Sequence, residues 1–154
     1  MEELFKTDNQ QLIYTIGHST RSIDEFIGIL ENYSIKVLVD VRRFPSSRKF
    51  PHFNKEFLSK KLYENDIKYI HMEVLGGRRG GGLNGYRDYL KTPQAMEGIY
   101  KLLSVFHENL RIAYMCAEKL PWKCHRWVLS EYISRNGITV VHIIEKKRIM
   151  VHKN

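Results

Sequence analysis

Hydrophobic positions fall into two kinds of segment that alternate along the chain. Short apolar runs, rich in branched side chains, have the length of strands that are buried on both faces. Between them, longer segments repeat an apolar side chain every three or four residues, which is typical of amphipathic helices. The pattern predicts five strands, at residues 12–16, 36–41, 67–71, 111–115 and 139–144. It also predicts helices that begin near Ser22, Asn54, Thr92 and Cys124.

Local signals support these boundaries. Ser22 with Glu25 three residues later has the form of a capping box, and Thr92 followed by Pro93 is a favoured helix start. Asparagine tolerates the left-handed conformation that ends many helices. It stands shortly before four of the predicted strands, at Asn32, Asn65, Asn109 and Asn136.

The alternation of strands and helices predicts a single α/β domain. We expect three layers, with about five mostly parallel strands and helices on both faces. The 154 residues are enough for one such domain, with its core between about residues 12 and 144. In parallel sheets, the connections that leave the carboxyl ends of the strands form the ligand crevice. We therefore expect the functional site in four such connections, at residues 17–21, 40–48, 75–87 and 116–126.

Two segments do not fit the alternation. Residues 75–87 contain six of the ten glycines, and we expect a mobile loop there because it has few apolar groups to hold it in place. Its arginines, Arg78, Arg79 and Arg87, could close over an anionic ligand. Its glycine order matches neither a dinucleotide-binding fingerprint nor a Walker loop. We interpret residues 145–154 as a polar basic tail.

The charge balance favours anionic partners. Twenty-five Lys and Arg residues against seventeen Asp and Glu residues leave a formal net charge of +8. We expect an anionic small molecule or nucleic acid as the partner, and no membrane association, because no apolar run approaches the ~20 residues that span a bilayer. The N-terminus is polar rather than signal-like, which predicts a cytoplasmic protein whose two cysteines are reduced thiols.

The sharpest chemical signal is the pair of cysteines around a strand end and a helix start. Cys116 ends the fourth predicted strand, and Cys124 opens the following helix, where the helix dipole favours a thiolate. Either sulfur is a candidate nucleophile, and Glu118 or His125 could move a proton. The alternative is that Cys124 is a small buried side chain. The spacing to the next arginine disfavours the tyrosine-phosphatase pattern, because Trp122 and Ser130 stand six residues after the two cysteines.

Polar side chains also follow the first two strands. His18 and Ser19 come after the first strand, and Asp40 and Arg42 come at the end of the second. The arginines near these strand ends suit a phosphate or carboxylate, together with the exposed N–H groups of the helix starts. We assign Asp40 to the catalytic group and the following side chains to ligand binding: His18, Ser19, Arg42, Ser47, Arg48, Arg78 and Arg126. The alternatives are an Asp40–Arg42 network that only fixes the loop, and an Arg126 that only pairs with a carboxylate.

A metal site is a weaker possibility. Cys116, Cys124 and His125, with His18 or His71, supply sulfur and nitrogen ligands, but no two of them have the spacing of a paired metal-binding motif. We therefore assign no metal ligand and leave the cofactor open.

The motifs together resemble a known family. The chain is similar, from about Tyr14 to His142, to the bacterial and archaeal family catalogued as a domain of unknown function, DUF488. The resemblance implies a small α/β domain whose characteristic residues gather at one site, and it brings no established activity. It rests on residues 15–19, 40–48, 75–77, 116–118 and 124–126. The residues that match motif positions of the family are His18, Ser19, Asp40, Arg42, Ser47, Arg48, Cys116, Glu118, Cys124, His125 and Arg126. The segment after Gly77 contains more glycine and arginine residues than the family pattern requires.

Three functional hypotheses follow. The first is an enzyme, or a degenerate enzyme, that binds a phosphate-bearing ligand such as a nucleotide or a nucleic-acid end at the carboxyl ends of the strands. The second is a non-catalytic nucleic-acid-binding module. The third is a thiol-based metal or redox sensor.

Overall fold

The computed structural model describes residues 11–109 and 111–153. These residues form one mixed sheet with helices on both faces, which confirms the predicted fold class. The strands are β1 (Leu12–Gly17), β2 (Val37–Asp40), β3 (Lys68–His71), β4 (Ile112–Cys116), β5 (Thr139–Glu145) and β6 (Arg148–Val151). The helices are α1 (Ile23–Asn32), α2 (Lys55–Glu64), α3 (Gly82–Tyr89), α4 (Pro93–Asn109) and α5 (His125–Ser134).

The strands lie in the order β3-β2-β4-β1-β5-β6. The first five are parallel to their neighbours, and β6 runs antiparallel to β5. The chain leaves β1 toward one edge of the sheet and leaves β4 toward the other. When the connections that leave two adjacent strands run in opposite directions, a crevice forms at the carboxyl ends of those strands. Here the crevice lies between β1 and β4.

Each face of the sheet carries its own apolar core. On one face α1 and α2 pack through side chains such as Phe26, Leu30 and Leu58. On the other face α4 and α5 pack through side chains such as Leu102 and Leu129. Successive strand residues point to opposite faces, so both faces of the central strands are buried, which explains their continuous apolar runs.

The glycine-rich segment departs from the expected loop. Helix α3 occupies its second half, after a short 3-10 turn at Glu73–Leu75. Leu75 and Tyr86 are both buried in the core, and the Tyr86 hydroxyl donates to the Leu75 carbonyl at 2.7 Å. These contacts anchor the segment, and they outweigh the poor helix propensity of its glycines. The prediction of a loop over all of residues 75–87 is therefore wrong.

The C-terminal segment also contains an element that the sequence pattern did not predict. Residues 148–151 form the edge strand β6 instead of a polar tail. Ile149 packs against the core beneath β5, and Met150 lies opposite His142 in the register. The strand is short and flanked by charges, so its apolar content is hard to recognise in the sequence.

Candidate functional site

A cleft of about 880 Å³ opens at the carboxyl ends of β1, β2 and β4. It is lined by residues from all four segments in which the site was expected. Most of the predicted side chains contribute to it: His18, Ser19, Arg42, Ser47, Arg78, Cys116, Glu118, Cys124 and His125. Asp40, Arg48 and Arg126 do not line it.

Gly17 allows the two sides of the cleft to meet. It ends β1 directly beside the 116–119 segment, and a Cβ at this position would lie 1.8 Å from the carbonyl oxygen of Glu118. The parallel ladder continues past it, because the N–H of His18 donates to the Cys116 carbonyl at 2.9 Å. Only glycine fits this close approach, which places His18 and Ser19 beside the cysteine segment.

Cys124 lies at the centre of the site, in the N-cap position of α5. Its Sγ lies 2.7 Å from Sγ of Cys116, 3.4 Å from Nδ1 of His125, and accepts the backbone N–H of Arg126 at 3.5 Å. The hydrogen bond from the Cys116 thiol is the main reason that the pKa of Cys124 is lowered to about 7, against the opposing effect of burial. The positive charge of Arg126 lowers the pKa further. The lowered pKa favours the thiolate form of Cys124 near neutral pH, compared with an ordinary cysteine.

Cys116 has the opposite chemistry. Burial, together with its hydrogen bond to Cys124, raises the pKa of the Cys116 thiol. It therefore stays protonated and donates to its neighbour. The two sulfurs therefore differ in charge state: the pKa of Cys124 is lowered, whereas that of Cys116 is raised.

His125 is oriented by contacts on both sides of its ring. Its Nε2 lies 3.0 Å from the Val41 carbonyl and donates to it, so in the neutral ring Nδ1 carries the lone pair that faces Cys124. Burial lowers the pKa of His125, which favours this neutral form. A Cβ on Gly77 would lie 2.9 Å from Cγ and Nδ1 of the ring, so the glycine allows the loop to pack on it. His125 is thus placed to accept the proton of the Cys124 thiol.

Arg126 is fully buried behind Cys124 rather than exposed in the cleft. Its guanidinium donates to the carbonyl oxygens of Glu118 at 2.8 Å and Lys119 at 3.2 Å, and to Oγ1 of Thr15 at 3.0 Å. Within residues 11–109 and 111–153 it forms no ion pair with a carboxylate. Its positive charge therefore affects the pKa values of the cysteines from inside the protein. Its hydrogen bonds hold the 116–124 segment in place.

A buried polar chain continues from Arg126 across the sheet. The Thr15 hydroxyl accepts from Arg126 and lies 2.6 Å from Nδ1 of His142, to which it donates. Nε2 of His142 in turn lies 2.9 Å from Nδ1 of His152, and Trp127 packs against both rings. Burial strongly lowers the pKa of His142, so this ring is neutral and adds no second charge next to Arg126.

Asp40 and Arg42 form the internal network that the sequence left as an alternative. Nε of Arg42 donates to Oδ1 of Asp40 at 2.9 Å, and Nη2 donates to Oδ2 at 2.8 Å. The Tyr69 hydroxyl donates to the same carboxylate at 2.6 Å, and Arg42 also donates to the Phe53 carbonyl. Asp40 is fully buried beneath the cleft, so it can influence a ligand only by holding Arg42 in place.

The loop after β2 is arranged by hydrogen bonds within itself. Oγ of Ser47 accepts from the N–H of Phe50 at 3.0 Å, while the Asn54 side chain accepts the Ser47 N–H. Asn54 occupies the predicted N-cap position of α2 but makes no capping hydrogen bond with its side chain. Arg48 is exposed on the outer side of this loop, away from the cleft lining.

The cleft contains basic side chains that sequence reasoning did not single out. Arg43, Lys49 and Lys123 line it beside Arg78, and none of these four side chains forms an ion pair with a carboxylate in the described part of the chain. Nε of Arg43 is buried without a hydrogen-bond partner there. The run Arg42-Arg43 at a strand end was the available signal for Arg43. Glu118 is the one carboxylate among the described lining residues, so the cleft is strongly positive.

His18 contributes a neutral ring to the same cleft. Its ring stacks on Phe53 at 4.3 Å, and its Nδ1 donates to the Ser19 carbonyl at 2.9 Å. Burial lowers the pKa of His18 to about 4. The neutral ring therefore keeps its lone pair on Nε2, which makes no hydrogen bond within the described residues, and can accept a hydrogen bond from a ligand.

Cys116, Cys124 and His125 lie in contact, but neither His18 nor His71 completes a metal-binding group with them. No three His, Cys, Asp or Glu side chains in the described ranges are grouped so as to hold a metal ion. His71, one of the side chains considered, instead lies with Nε2 2.7 Å from the Arg42 carbonyl.

One of the three comparisons with known proteins gave a match. A family model described as domain of unknown function DUF488 matches residues 22–133, well over half of the chain. Comparison of the sequence with curated proteins and with solved structures found no match. Within residues 11–109 and 111–153, every helix is too short or too polar to span a lipid bilayer. The family match confirms the predicted resemblance, and the chain belongs to the DUF488 family.

Proposed function

We propose that the chain is an enzyme that binds a phosphate-bearing ligand, a nucleotide or a nucleic-acid end, and attacks it with the thiolate of Cys124. The observation that carries this proposal is the position of a low-pKa cysteine in a cleft lined by basic side chains without carboxylate partners. A nucleophile and an anion site in one cleft favour covalent catalysis on an anionic substrate.

Several groups support phosphate binding. Arg43, Arg78, Lys49 and Lys123 supply the positive charge, and arginine can donate two parallel hydrogen bonds to one phosphate. The N-terminus of α5 adds the positive end of its dipole at Cys124. The neutral state of His18 allows it to accept from a ligand hydroxyl rather than to compete for the phosphate.

The shape of the cleft supports a ligand larger than inorganic phosphate. Its volume of about 880 Å³ lies in the range of small-molecule sites. Phe44 lines it with 57% of its surface exposed, and the Arg43 guanidinium lies 5.2 Å from the centre of the Phe44 ring. An exposed aromatic ring beside an arginine offers a stacking surface for a nucleobase.

The chemical step follows from the cysteine and its neighbours. The sulfur of Cys124 forms a bond to an electrophilic carbon or phosphorus atom of the ligand, and the bond to the leaving group breaks with its electron pair. Where Cys124 begins as a thiol, Nδ1 of His125 accepts its proton and can return it to the leaving group. Water then displaces the sulfur and restores the thiol.

Binding should depend on the cleft arginines that have no carboxylate partner in the described part of the chain. Replacing both Arg43 and Arg78 with alanine is expected to weaken binding of nucleoside monophosphates and of short oligonucleotides with a terminal phosphate about a hundredfold or more, because each of the two charge-assisted hydrogen bonds contributes roughly 1.5–3 kcal/mol. Isothermal titration calorimetry over such a panel measures the change.

The matched control removes the same charge elsewhere. Lys91 and Lys101 are exposed and lie outside the cleft lining, so their double alanine variant should bind like the wild type. Equal losses in the two variants, with a steep salt dependence and no effect of Cys124→Ser, would support the non-catalytic nucleic-acid-binding module instead. Unchanged binding in the Arg43 and Arg78 variant would exclude the cleft as the phosphate site.

A further inference from the structure

The two cysteines lie closer to each other than their roles in ligand chemistry require. Both are free thiols, and their sulfur atoms are 2.7 Å apart, while a disulfide bond is roughly 2.0 Å long. They belong to separate elements, since Cys116 ends β4 and Cys124 caps α5. A small rotation of the side chains is therefore enough to join them.

Access to the pair is one-sided. Cys124 and Cys116 both line the cleft, but Cys116 is almost completely buried, whereas Cys124 keeps some exposure. A molecule that enters the cleft therefore meets Cys124 first. This arrangement matches an attacking thiol with a second thiol behind it that resolves the product.

We propose that Cys116 and Cys124 form a reversible disulfide by exchange with an anionic low-molecular-weight disulfide, and that this oxidation switches off the Cys124 nucleophile. The proposal goes beyond the phosphate-ligand function, because the exchange needs only the two thiols and the positive cleft. A disulfide that bears carboxylates suits the basic lining around Cys124.

The exchange balances in two steps. In the first step, the Cys124 thiolate attacks one sulfur of the small disulfide, forms a mixed disulfide, and releases one small thiolate. In the second step, the sulfur of Cys116 attacks the sulfur of Cys124, and the second small thiol leaves with the proton of Cys116. The two cysteines are oxidised by two electrons, the small disulfide is reduced to two thiols, and excess small thiol reverses both steps.

The second step is favoured by the first. Burial keeps the Cys116 thiol protonated in the reduced protein, and its hydrogen bond to the Cys124 sulfur adds to this effect. Once Cys124 is bonded to the small molecule, that hydrogen bond no longer holds the proton. The charge of Arg126, which is the main opposing influence on Cys116, then favours its thiolate.

Oxidised glutathione, which carries carboxylates, is a suitable probe for the full-length chain. Intact-mass analysis of the wild-type protein in mixtures of reduced and oxidised glutathione should show loss of two hydrogens and of both free thiols, reversed by dithiothreitol. Cys116→Ser should instead accumulate one glutathione on Cys124, because no resolving thiol remains. Cys124→Ser should stay unmodified while folded, because Cys116 is buried. Circular dichroism confirms that each variant is folded.

The anionic preference has its own control. Cystamine is a disulfide with positive charges. The rates at which cystamine and oxidised glutathione react with the protein are compared in the folded state and in the state unfolded with urea. The folded protein should favour oxidised glutathione several-fold more than the unfolded protein does. Equal preferences would overturn the role assigned to the basic lining.

Three results would overturn the disulfide itself: two persistent free thiols in the wild type, a covalent dimer in place of an internal bond, or no mixed disulfide in Cys116→Ser. Binding of nucleotides provides a separate readout, because oxidation leaves Arg43 and Arg78 unchanged. The oxidised protein should bind phosphate ligands within about twofold of the reduced protein.

Discussion

Replacement of Arg126 with methionine is expected to raise the pH at which Cys124 becomes reactive by about one unit. The thiol of Cys116 contributes most to the low pKa of Cys124, and it remains in this variant; the buried guanidinium contributes next and is lost. At neutral pH the rate of Cys124 alkylation by iodoacetamide should therefore fall several-fold. The substitution also leaves the carbonyls of Glu118 and Lys119 without their donor, which should cost about 1–3 kcal/mol of the free energy of unfolding.

Arg126→Lys separates the charge from the hydrogen bonds. Lysine keeps a positive charge near the cysteines but cannot reproduce the fork that reaches Thr15 and the two carbonyls. Its alkylation profile should stay nearer to that of the wild type, while its stability falls. If the methionine variant reacts with the same pH midpoint as the wild type, Arg126 has no electrostatic role at the site.

The second large effect is expected at Gly17, where alanine should lower the free energy of unfolding by about 3 kcal/mol. The added Cβ would lie 1.8 Å from the carbonyl oxygen of Glu118, so either β1 or the 116–119 segment must move. This movement separates His18 from the cysteines and should also slow the alkylation of Cys124. Urea denaturation measures the stability, and mass spectrometry measures the alkylation.

Gly28 provides the matched control for Gly17. It lies within α1, and nothing stands within 4 Å of a Cβ built at this position. Gly28→Ala should therefore stabilise the protein by about 0.5–1 kcal/mol, since alanine is a better helix former than glycine. Both variants replace a glycine with alanine, but their changes in the free energy of unfolding should have opposite signs. A mild effect at Gly17 would show that the two segments can separate without cost.

Much of the fold could be predicted from the sequence because its central strands carry a simple signal. The continuous apolar runs of β2 and β4 arise because helices cover both faces of the sheet, and the Ser22 cap forms as its spacing to Glu25 predicts. Helix α3 was missed because its stability comes from the tertiary contacts of Tyr86 rather than from propensity. Edge strand β6 was missed because it has only four residues between charged neighbours.

The site was predictable in part for a related reason. In a parallel sheet, the segments that follow the strands all lie at the same edge, whatever the order of the strands. The residues of those segments could therefore be assigned to one end of the sheet. Whether each of these side chains is buried or exposed could not be predicted in this way. Arg126 and Arg78 are both arginines in connections that follow the carboxyl ends of strands, yet Arg126 is fully buried and Arg78 is exposed. The difference depends on which way each side chain leaves the backbone, and the pattern of residue types does not contain that information.

The central claim is that Cys124 is a stabilised thiolate that opens into the basic cleft. Its most direct test is the pH dependence of iodoacetamide alkylation at each cysteine of the folded, reduced protein. Because the pKa of Cys124 is lowered, the reactive thiolate is already abundant near neutrality: the rate at Cys124 should rise with increasing pH and reach half its maximum near pH 7, with Cys116 unmodified. A midpoint at or above the pKa of about 8.5 of an ordinary cysteine, or earlier modification of Cys116, would contradict the account.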